Sequence, residues 1–226
     1  MPARMLVIDL GTTSLKVVAY DEAFMPLIAC SREWSYAYPQ PGRVEHSAAM
    51  YWDKVISAVR ELSQRLGGLS GLAAVSVTGQ AETLIALDGA GAPLGEAIVW
   101  LDTRAQRQCE EVRGEFSVDE LYARTGNTDF DPIMPLLKLR WMRENQPDIF
   151  RAASSFLLIK DFIVYMLTGE LATEHTVNCC SGYFDIVRRD WDDELLSLAG
   201  ITRDRLPALA CSRQIVGPVC ASAREA

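Results

Sequence analysis

The sequence predicts an α/β fold in which a mixed β-sheet is flanked by helices. Two apolar, β-branched runs, Leu6–Leu10 and Leu15–Tyr20, are joined by a tight polar turn, which is typical of a buried hairpin. An amphipathic pattern begins at Ser47, and a further buried run follows at Leu72–Thr78. A meander that crosses through a helix to another strand begins a mixed sheet, and helices then cover at least one face of it.

Composition limits the classes of function. The chain has 226 residues, is 49% hydrophobic and 23% charged, and carries a formal net charge of -8. This acidity argues against a nucleic-acid partner and against an anionic membrane surface. The cysteines form no C-x-x-C pair and only two histidines accompany them, so neither a zinc site nor a disulfide scaffold is expected. They are expected to be free thiols: Cys30, Cys109, Cys179, Cys180, Cys211 and Cys220.

The positions of the charged residues argue against a signal peptide and against a membrane-spanning segment. Arg4 and Asp9 leave no signal-peptide core in the first residues. The most apolar later stretch, Phe156–Leu167, is interrupted by Lys160 and Asp161, and it is too short to span a bilayer. A cytoplasmic location is therefore expected.

The elements of the first half follow from periodicity and turn signals. Pro26–Tyr36 supplies a third strand, and the loop Pro39–Glu45 leads to a helix with Ser47 as its N-cap. Gly67 and Gly68 end that helix, and Thr83–Leu87 forms a strand after Leu72–Thr78. Apolar residues recur at steps of three and four along one face of the helix: Trp52, Val55, Val59, Leu62 and Leu66.

The second half has a more helical pattern. The predicted helices are Ala105–Arg113, Val118–Arg124, Pro135–Glu144, Lys160–Leu167 and Trp191–Leu198, and the predicted short strands are Ser154–Leu158 and Gly182–Ile186. Asp-x-Gly occurs once, at Asp9–Gly11. If the fold binds a nucleotide between two related halves, we therefore expect this chain to contain only one of them.

The turn of the first hairpin has the chemistry of a phosphate loop. Gly11 allows close approach of a ligand, and Thr12, Thr13 and Ser14 offer N–H groups and hydroxyls to anionic oxygens. Asp9, a carboxylate at the end of an apolar strand, needs a partner, and beside such a loop hydrated Mg²⁺ fits best. Lys16 either faces the same phosphates or points to solvent. The alternative is an ordinary hairpin in which Asp9 caps the turn, because short glycine motifs are common.

The hairpin alone resembles the actin/Hsp70/sugar-kinase ATPase superfamily. Later motifs resemble one branch of it, the FGGY carbohydrate kinases, in the same order and at similar spacings over essentially the whole chain. These motifs are Pro41–His46, Gly79–Glu82, Ala97–Arg104, Thr125–Gly126, Leu167–Glu170, and Arg189–Asp192 with Leu206–Pro207.

That resemblance implies a ribonuclease H-like α/β domain that occurs twice in the family, with ATP and a sugar or polyol in the cleft between the copies. Residues 1–226 resemble the N-terminal copy. Asp9 resembles the family's Mg²⁺-associated carboxylate, and the segment from Gly11 to Ser14 resembles its phosphate loop. The family's catalytic base lies in a Gly-Asp motif of the C-terminal domain, which this chain lacks. The implied reaction is in-line phosphoryl transfer, and we expect this chain alone to be inactive.

Within the family resemblance, the sugar pocket is assigned to Gln80, Ala81, Glu82, Trp100, Asp102 and Arg104. Amide and carboxylate groups that bond vicinal hydroxyls, beside an indole face, are what a polyol site requires. Trp100 has an alternative as a plain core residue, and Arg104 has one as a partner of Asp102. His46 and His175 are interpreted as surface or loop histidines.

The resemblance also narrows the substrate. Glycerol kinases of the family show an arginine before the glutamate of this loop and an aromatic residue after Asp-Pro, whereas this chain has Ala81 and Ile133. Xylulokinases share the Trp-x-Asp-x-Arg pattern of Trp100–Arg104 but show Met-His in place of Ala81–Glu82. A ketopentose such as xylulose is expected first, with another pentulose, a tetritol or a related polyol next.

Two other classes of function stay open. One is a non-catalytic sugar- or nucleotide-binding module that kept the fold without the base domain. The other is an actin-like or Hsp70-like ATPase, which only the first hairpin favours. The expected partners are a small-molecule sugar or polyol and the missing C-terminal domain, and a homodimer is left open.

Overall fold

The computed structural model describes residues 5–226, so Arg4 of the targeting argument lies outside them. The strands are β1 (Met5–Leu10), β2 (Ser14–Tyr20), β3 (Pro26–Glu33), β4 (Glu45–His46), β5 (Ala74–Gly79), β6 (Leu84–Leu87), β7 (Ala97–Ile98), β8 (Ser155–Leu158), β9 (Ala172–Glu174), β10 (Phe184–Asp185), β11 (Asp190–Trp191) and β12 (Ala208–Ala210). The helices are α1 (Ala48–Leu66), α2 (Gln106–Glu115), α3 (Val118–Thr125), α4 (Pro135–Asn145), α5 (Pro147–Ala152), α6 (Ile159–Thr168), α7 (His175–Asn178), α8 (Asp193–Ala199) and α9 (Ala221–Glu225).

The first sheet is mixed, as predicted, and has the strand order β3-β2-β1-β5. Strand β1 pairs antiparallel with β2 and parallel with β5, which follows the crossover helix α1. One face of the sheet packs on α1 through Tyr51, Val55 and Leu62, which are fully buried. Burial of these side chains against the β-branched residues of the sheet supplies the first apolar core.

The other face of the first sheet is open near the hairpin turn. Asp9 lies directly opposite Lys16 of β2 and Thr78 of β5, and all three residues are exposed. Residues that are directly opposite on neighbouring strands project to the same face. A carboxylate, an ammonium and a hydroxyl are therefore brought together on this open face.

The strand predicted at Thr83–Leu87 forms, but it does not extend the first sheet. It is β6 of a second four-stranded sheet with the order β4-β7-β6-β8. All three pairings in this sheet are antiparallel. One fully buried face of β6 and β8 packs on a second core, built mainly by α2, α4 and α8. The expectation of one continuous sheet misses this division, because strand patterns give no information on partners.

Most predicted elements form, with shifts that packing explains. The buried stripe of α1 is Ala48, Tyr51, Val55, Ala58 and Leu62. Trp52 and Val59 of the predicted face only flank it. Gly67 ends the helix in the left-handed conformation, as predicted. Trp191 belongs to β11, and the last predicted helix begins after Asp192, whose carboxylate caps it. No helix among residues 5–226 is long and apolar enough to cross a membrane.

Candidate functional site

Two loops meet at one edge of the first sheet because they follow neighbouring parallel strands. The loop Gly11–Thr13 follows β1, and the loop that starts at Gln80 follows β5. The Gln80 amide donates to the Leu10 carbonyl at 2.8 Å, so the second loop begins against the first. A Cβ on Gly79 would lie 2.6 Å from the Leu10 Cβ, which shows why glycine ends β5 here. Ligand sites in such sheets lie at the carboxyl ends of parallel strands.

The predicted phosphate loop is a tight turn at this edge. A Cβ on Gly11 would lie 2.9 Å from the Ser14 carbonyl oxygen, so a larger residue would force the turn open. Thr13 is exposed, and Thr12 and Ser14 are half-buried. The structure therefore brings the small donors predicted from the sequence to the end of the open face that carries Asp9 and Lys16.

The surroundings of Asp9 suit a hydrated divalent cation. Among residues 5–226, no cluster of three or more histidine, cysteine or carboxylate side chains is arranged to enclose a metal. Mg²⁺ keeps several waters and is usually bound by one or two carboxylates together with substrate phosphates. An exposed carboxylate beside a loop of anion donors fits that mode of binding.

Glu82 is held in an unusual backbone conformation in the second loop. Its φ is +62°, in the left-handed region that most residues avoid. Its side chain is half-buried, and burial raises the pKa of Glu82 while Lys138 opposes the shift. Strain of this kind persists only where the surrounding structure fixes it, and such positions cluster at functional sites.

The buried residue Lys138 holds the backbone of Glu82 in place, and it was not among the site residues predicted from the sequence. It lies on α4 and is fully buried, and its Nζ donates to the carbonyls of Glu82 at 2.8 Å and Val99 at 3.0 Å. Burial lowers the pKa of Lys138 to about 7, although Asp102 and Glu82 oppose the shift. The available signal was a lysine inside the apolar run Pro135–Met142.

Gln80 bridges the two loops. Its Nε2 donates to the Gly11 carbonyl at 3.3 Å and to the Tyr36 hydroxyl at 3.4 Å. Its Oε1 accepts from the Thr83 hydroxyl at 3.2 Å. Ala81 is half-buried and offers only a methyl group between Gln80 and Glu82. The amide of Gln80 thus faces the phosphate loop rather than standing free in the pocket.

Trp100 stands at the same loop cluster. Its amide donates to the Thr83 hydroxyl at 3.0 Å, which ties it to Gln80. Its indole Nε1 is buried and has no hydrogen-bond partner among the described residues. A buried donor without an acceptor is costly, so Trp100 marks a strained position in this loop cluster.

Asp102 and Arg104 form a buried structural pair. The Asp102 carboxylate is 0% exposed and accepts from the Val44 amide at 2.6 Å. It also accepts from Arg104, at 2.9 Å from the amide, 2.8 Å from Nε and 2.7 Å from Nη2. Arg104 reaches Glu45 at 2.7 Å and lies over the Trp141 ring. Protein donors thus occupy the carboxylate that the sequence suggested for sugar hydroxyls, and the alternative pairing of Arg104 with Asp102 forms.

The two histidines differ from expectation in one case. His46 is 6% exposed and stacks on Tyr51, with ring centroids 4.3 Å apart, so it is not a surface residue. Burial lowers the pKa of His46, although a hydrogen bond to Ser47 opposes the shift. His175 begins α7 and is half-buried against Phe184.

Known proteins resemble the chain along its whole described length. The model of the FGGY family of carbohydrate kinases, N-terminal domain, matches residues 4–226. A glycerol kinase of Thermococcus gammatolerans is 34% identical over 222 residues, which cover 96% of this chain and 45% of that protein.

Solved structures agree with these matches. A gluconate kinase from Lactobacillus acidophilus has a TM-score of 0.91 at 26% identity, covering 98% of this chain and 44% of the other. A xylulose kinase from Rhodospirillum rubrum has a TM-score of 0.91 at 27% identity, covering 97% of this chain and 45% of the other. The chain thus spans about half the length of the relatives it matches.

Proposed function

The chain belongs to the FGGY family of carbohydrate kinases, and we propose that it provides the sugar pocket and first phosphate loop of an ATP-dependent kinase. Its fold is the one shared by sugar kinases, actin and Hsp70, and the kinase branch accounts for motifs that the first hairpin leaves unexplained. We assign residues 1–226 to an N-terminal domain, with the catalytic base in a C-terminal domain. This chain by itself would then bind without efficient turnover.

The observation that carries this proposal is the meeting of the two loops at one sheet edge. The Asp9 carboxylate lies on the open face, and Glu82 lies in the loop that starts against Leu10. A kinase must bring a phosphoryl group and an acceptor hydroxyl to the same place, and binding them side by side replaces a bimolecular encounter.

The proposed roles follow from the contacts. The loop Gly11–Ser14 binds terminal phosphate oxygens, and Lys16 adds positive charge from the neighbouring strand. Asp9 would hold Mg²⁺ through water, and the cation would offset charge on the transferring phosphoryl group. Glu82 accepts a sugar hydroxyl, and the indole of Trp100 packs on C–H bonds of the sugar.

Asp102 and Arg104 act behind this surface. With the Asp102 carboxylate occupied by protein donors, the pair fixes the loop that carries Trp100. Gln80, bonded to both loops, sets the distance between them. We assign these three residues to positioning of the pocket and leave Glu82 and Trp100 as its ligand-facing groups.

For the substrate we propose a ketopentose such as xylulose. Ala81 provides a methyl group where the glycerol kinases of the family carry an arginine, which leaves room for a longer carbon chain. Glycerol is the second candidate, because a curated relative at 34% identity is described as a glycerol kinase. A tetritol, another pentulose or a related polyol follows.

The experiment is a panel of pentuloses, hexuloses, tetritols and glycerol, screened with the complete gene product for ADP release in the presence of ATP and Mg²⁺. We expect the highest kcat/KM for a ketopentose, and loss of the signal without Mg²⁺. A higher kcat/KM for glycerol would reassign the substrate. Calorimetric binding of a sugar without any ADP release would favour a non-catalytic module, and binding of an unfolded peptide alone would favour an Hsp70-like protein.

A further inference from the structure

We infer that Trp34 and Tyr36 are positioning residues that hold the phosphate loop with its amides facing the ligand. This inference rests on the proposed function, because it concerns how the same loop is prepared for an anion. Neither residue belongs to the loop or to the sugar motifs. Both follow β3, two positions apart, on the chain that runs past the loop.

Three successive carbonyl oxygens of the phosphate loop accept hydrogen bonds from residues outside the loop. The Thr12 carbonyl accepts from the Trp34 indole Nε1 at 2.8 Å and from the Tyr36 hydroxyl. The Thr13 carbonyl accepts from the Trp34 amide at 3.0 Å. The Gly11 carbonyl accepts from Gln80 Nε2 at 3.3 Å, and the same Nε2 donates to the Tyr36 hydroxyl.

Peptide geometry determines the direction in which the loop amides point. In a planar trans peptide, the C=O of one residue and the N–H of the next point in opposite directions. When the carbonyls of Gly11 and Thr12 are bound on the protein side, the amides of Thr12 and Thr13 must point away from it. Within residues 5–226, these two amides have no acceptor. They are therefore presented to an incoming anion, in the manner of a backbone nest.

Packing fixes the two aromatic donors. Trp34 is 8% exposed and lies edge-on to Tyr51, with ring centroids 5.1 Å apart and planes at 87°. Tyr36 lies edge-on to His46 at 5.7 Å and 87°, and His46 stacks on Tyr51. We call the hydrogen-bond donors Trp34, Tyr36 and Gln80 the carbonyl clamp. Tyr51 belongs to α1, so the helix that covers the sheet supports this clamp. Donors fixed before the ligand arrives require no reorganisation when it binds.

The test compares Tyr36→Phe and Trp34→Phe in the complete gene product. Tyr36→Phe removes only a hydroxyl, and Trp34→Phe keeps an aromatic ring but removes the indole N–H. Tyr38→Phe is the matched control, because Tyr38 follows two positions later on the same chain and is 67% exposed. The measurements are KM for ATP, the calorimetric Kd for the sugar, the melting temperature, and the protection from hydrogen–deuterium exchange that ATP gives to the peptide that spans Gly11–Ser14.

We expect each clamp variant to raise KM for ATP about two- to tenfold, the range of one net hydrogen bond. The protection from exchange that ATP gives to Gly11–Ser14 should decrease, while sugar Kd stays within about twofold and Tyr38→Phe matches the parent. Unchanged KM and unchanged protection in both clamp variants would overturn the inference, and so would equal losses for sugar and ATP. If the parent releases no ADP with any sugar, the proposed function fails, and the protection that ATP or inorganic phosphate gives to the loop in the same variants still decides whether the clamp exists.

Discussion

Replacement of Lys138 by methionine tests whether one buried ammonium holds the sugar-binding loop. Methionine keeps an unbranched side chain of similar length and removes the donor. Lys138 Nζ donates to the carbonyls of Glu82 and Val99, at 2.8 and 3.0 Å. In Lys138→Met the Glu82 carbonyl, which belongs to the residue with a φ of +62°, loses its donor, whereas the Val99 carbonyl keeps a hydrogen bond from the Asp102 amide at 3.0 Å.

The expected magnitude follows from these two bonds and from the charge. A buried carbonyl left without a donor costs about 1–3 kcal/mol and a lost net hydrogen bond about 0.5–1.5 kcal/mol, so the two bonds together correspond to roughly 1.5–4.5 kcal/mol of unfolding free energy. The buried charge acts in the opposite direction. Burial lowers the pKa of Lys138 to about 7 in the folded protein, whereas an unfolded lysine titrates near a pKa of about 10.4.

The pH dependence has a definite sign. Between about pH 7 and 10 the unfolded chain binds more protons at this residue than the folded chain, so the parent becomes more stable as pH rises. The slope approaches about 1.4 kcal/mol per pH unit above pH 7 and vanishes below it. Lys138→Met lacks this contribution. The loss of stability in Lys138→Met should therefore be larger at pH 9 than at pH 6.

Urea unfolding of the parent and variant at pH 6, 7.5 and 9 measures this difference through the midpoint and slope. Lys54→Met on α1 is the matched control, because it removes a lysine that is only half-buried. Sugar affinity should fall in Lys138→Met as Glu82 loses its support. A stability difference that is the same at all three pH values, or Lys54→Met behaving identically, would refute the account of Lys138.

Three further predictions test the proposed site and the stability of the second half of the chain. Asp9→Ala in the complete gene product should reduce kcat by orders of magnitude with little change in sugar Kd, because the carboxylate acts on the metal; equal kcat in steady-state assays would remove Asp9 from the mechanism. Glu82→Ala should weaken calorimetric sugar binding by about 1–3 kcal/mol per lost contact, and unchanged affinity would relocate the pocket. Burial by itself raises the pKa of Glu174, but hydrogen bonds from Thr176 and Ser212 outweigh it and hold that pKa at about 2. The parent should therefore lose stability as pH falls from about 4.5 towards 2. Glu174→Gln should be less stable at pH 7 and should lose less stability than the parent over that range in urea unfolding; equal losses in the two proteins would contradict this account.

The sequence predicted the parts of the fold that local chemistry determines. The first hairpin follows from two β-branched runs and a turn that glycine and threonine favour. Helix α1 ends at Gly67 because a residue with positive φ is required there. The assignment of β6 to a second sheet was not accessible, because its apolar run is compatible with either partner. Only the pairing of β6 with β7 and β8 decides it.

The residues of the candidate site also fall into two groups, those that the sequence could predict and those that it could not. Residues that we propose to face a ligand, such as Asp9 and Glu82, have recognisable chemistry in sequence. Residues that support them do not, because their importance lies in contacts made far along the chain. Lys138 is 56 residues from Glu82 in sequence, and Tyr36 is 24 residues from Thr12. Asp102 has the chemistry of a residue that binds sugar hydroxyls, and the sequence assigned it to the sugar pocket. In the structure its carboxylate oxygens accept hydrogen bonds from Val44 and Arg104.

On the proposed function, a chain with a net charge of -8 binds a polyanion without a general positive surface. On the open face formed by the described residues, the ammonium of Lys16 lies directly opposite the carboxylate of Asp9. These two charges offset each other, so attraction to phosphate depends on oriented amide dipoles and on a cation brought with the nucleotide. Dipoles contribute only when they are held in one orientation. The carbonyl clamp from Trp34, Tyr36 and Gln80 meets that requirement, and it makes the support of the loop as important for binding as the loop itself.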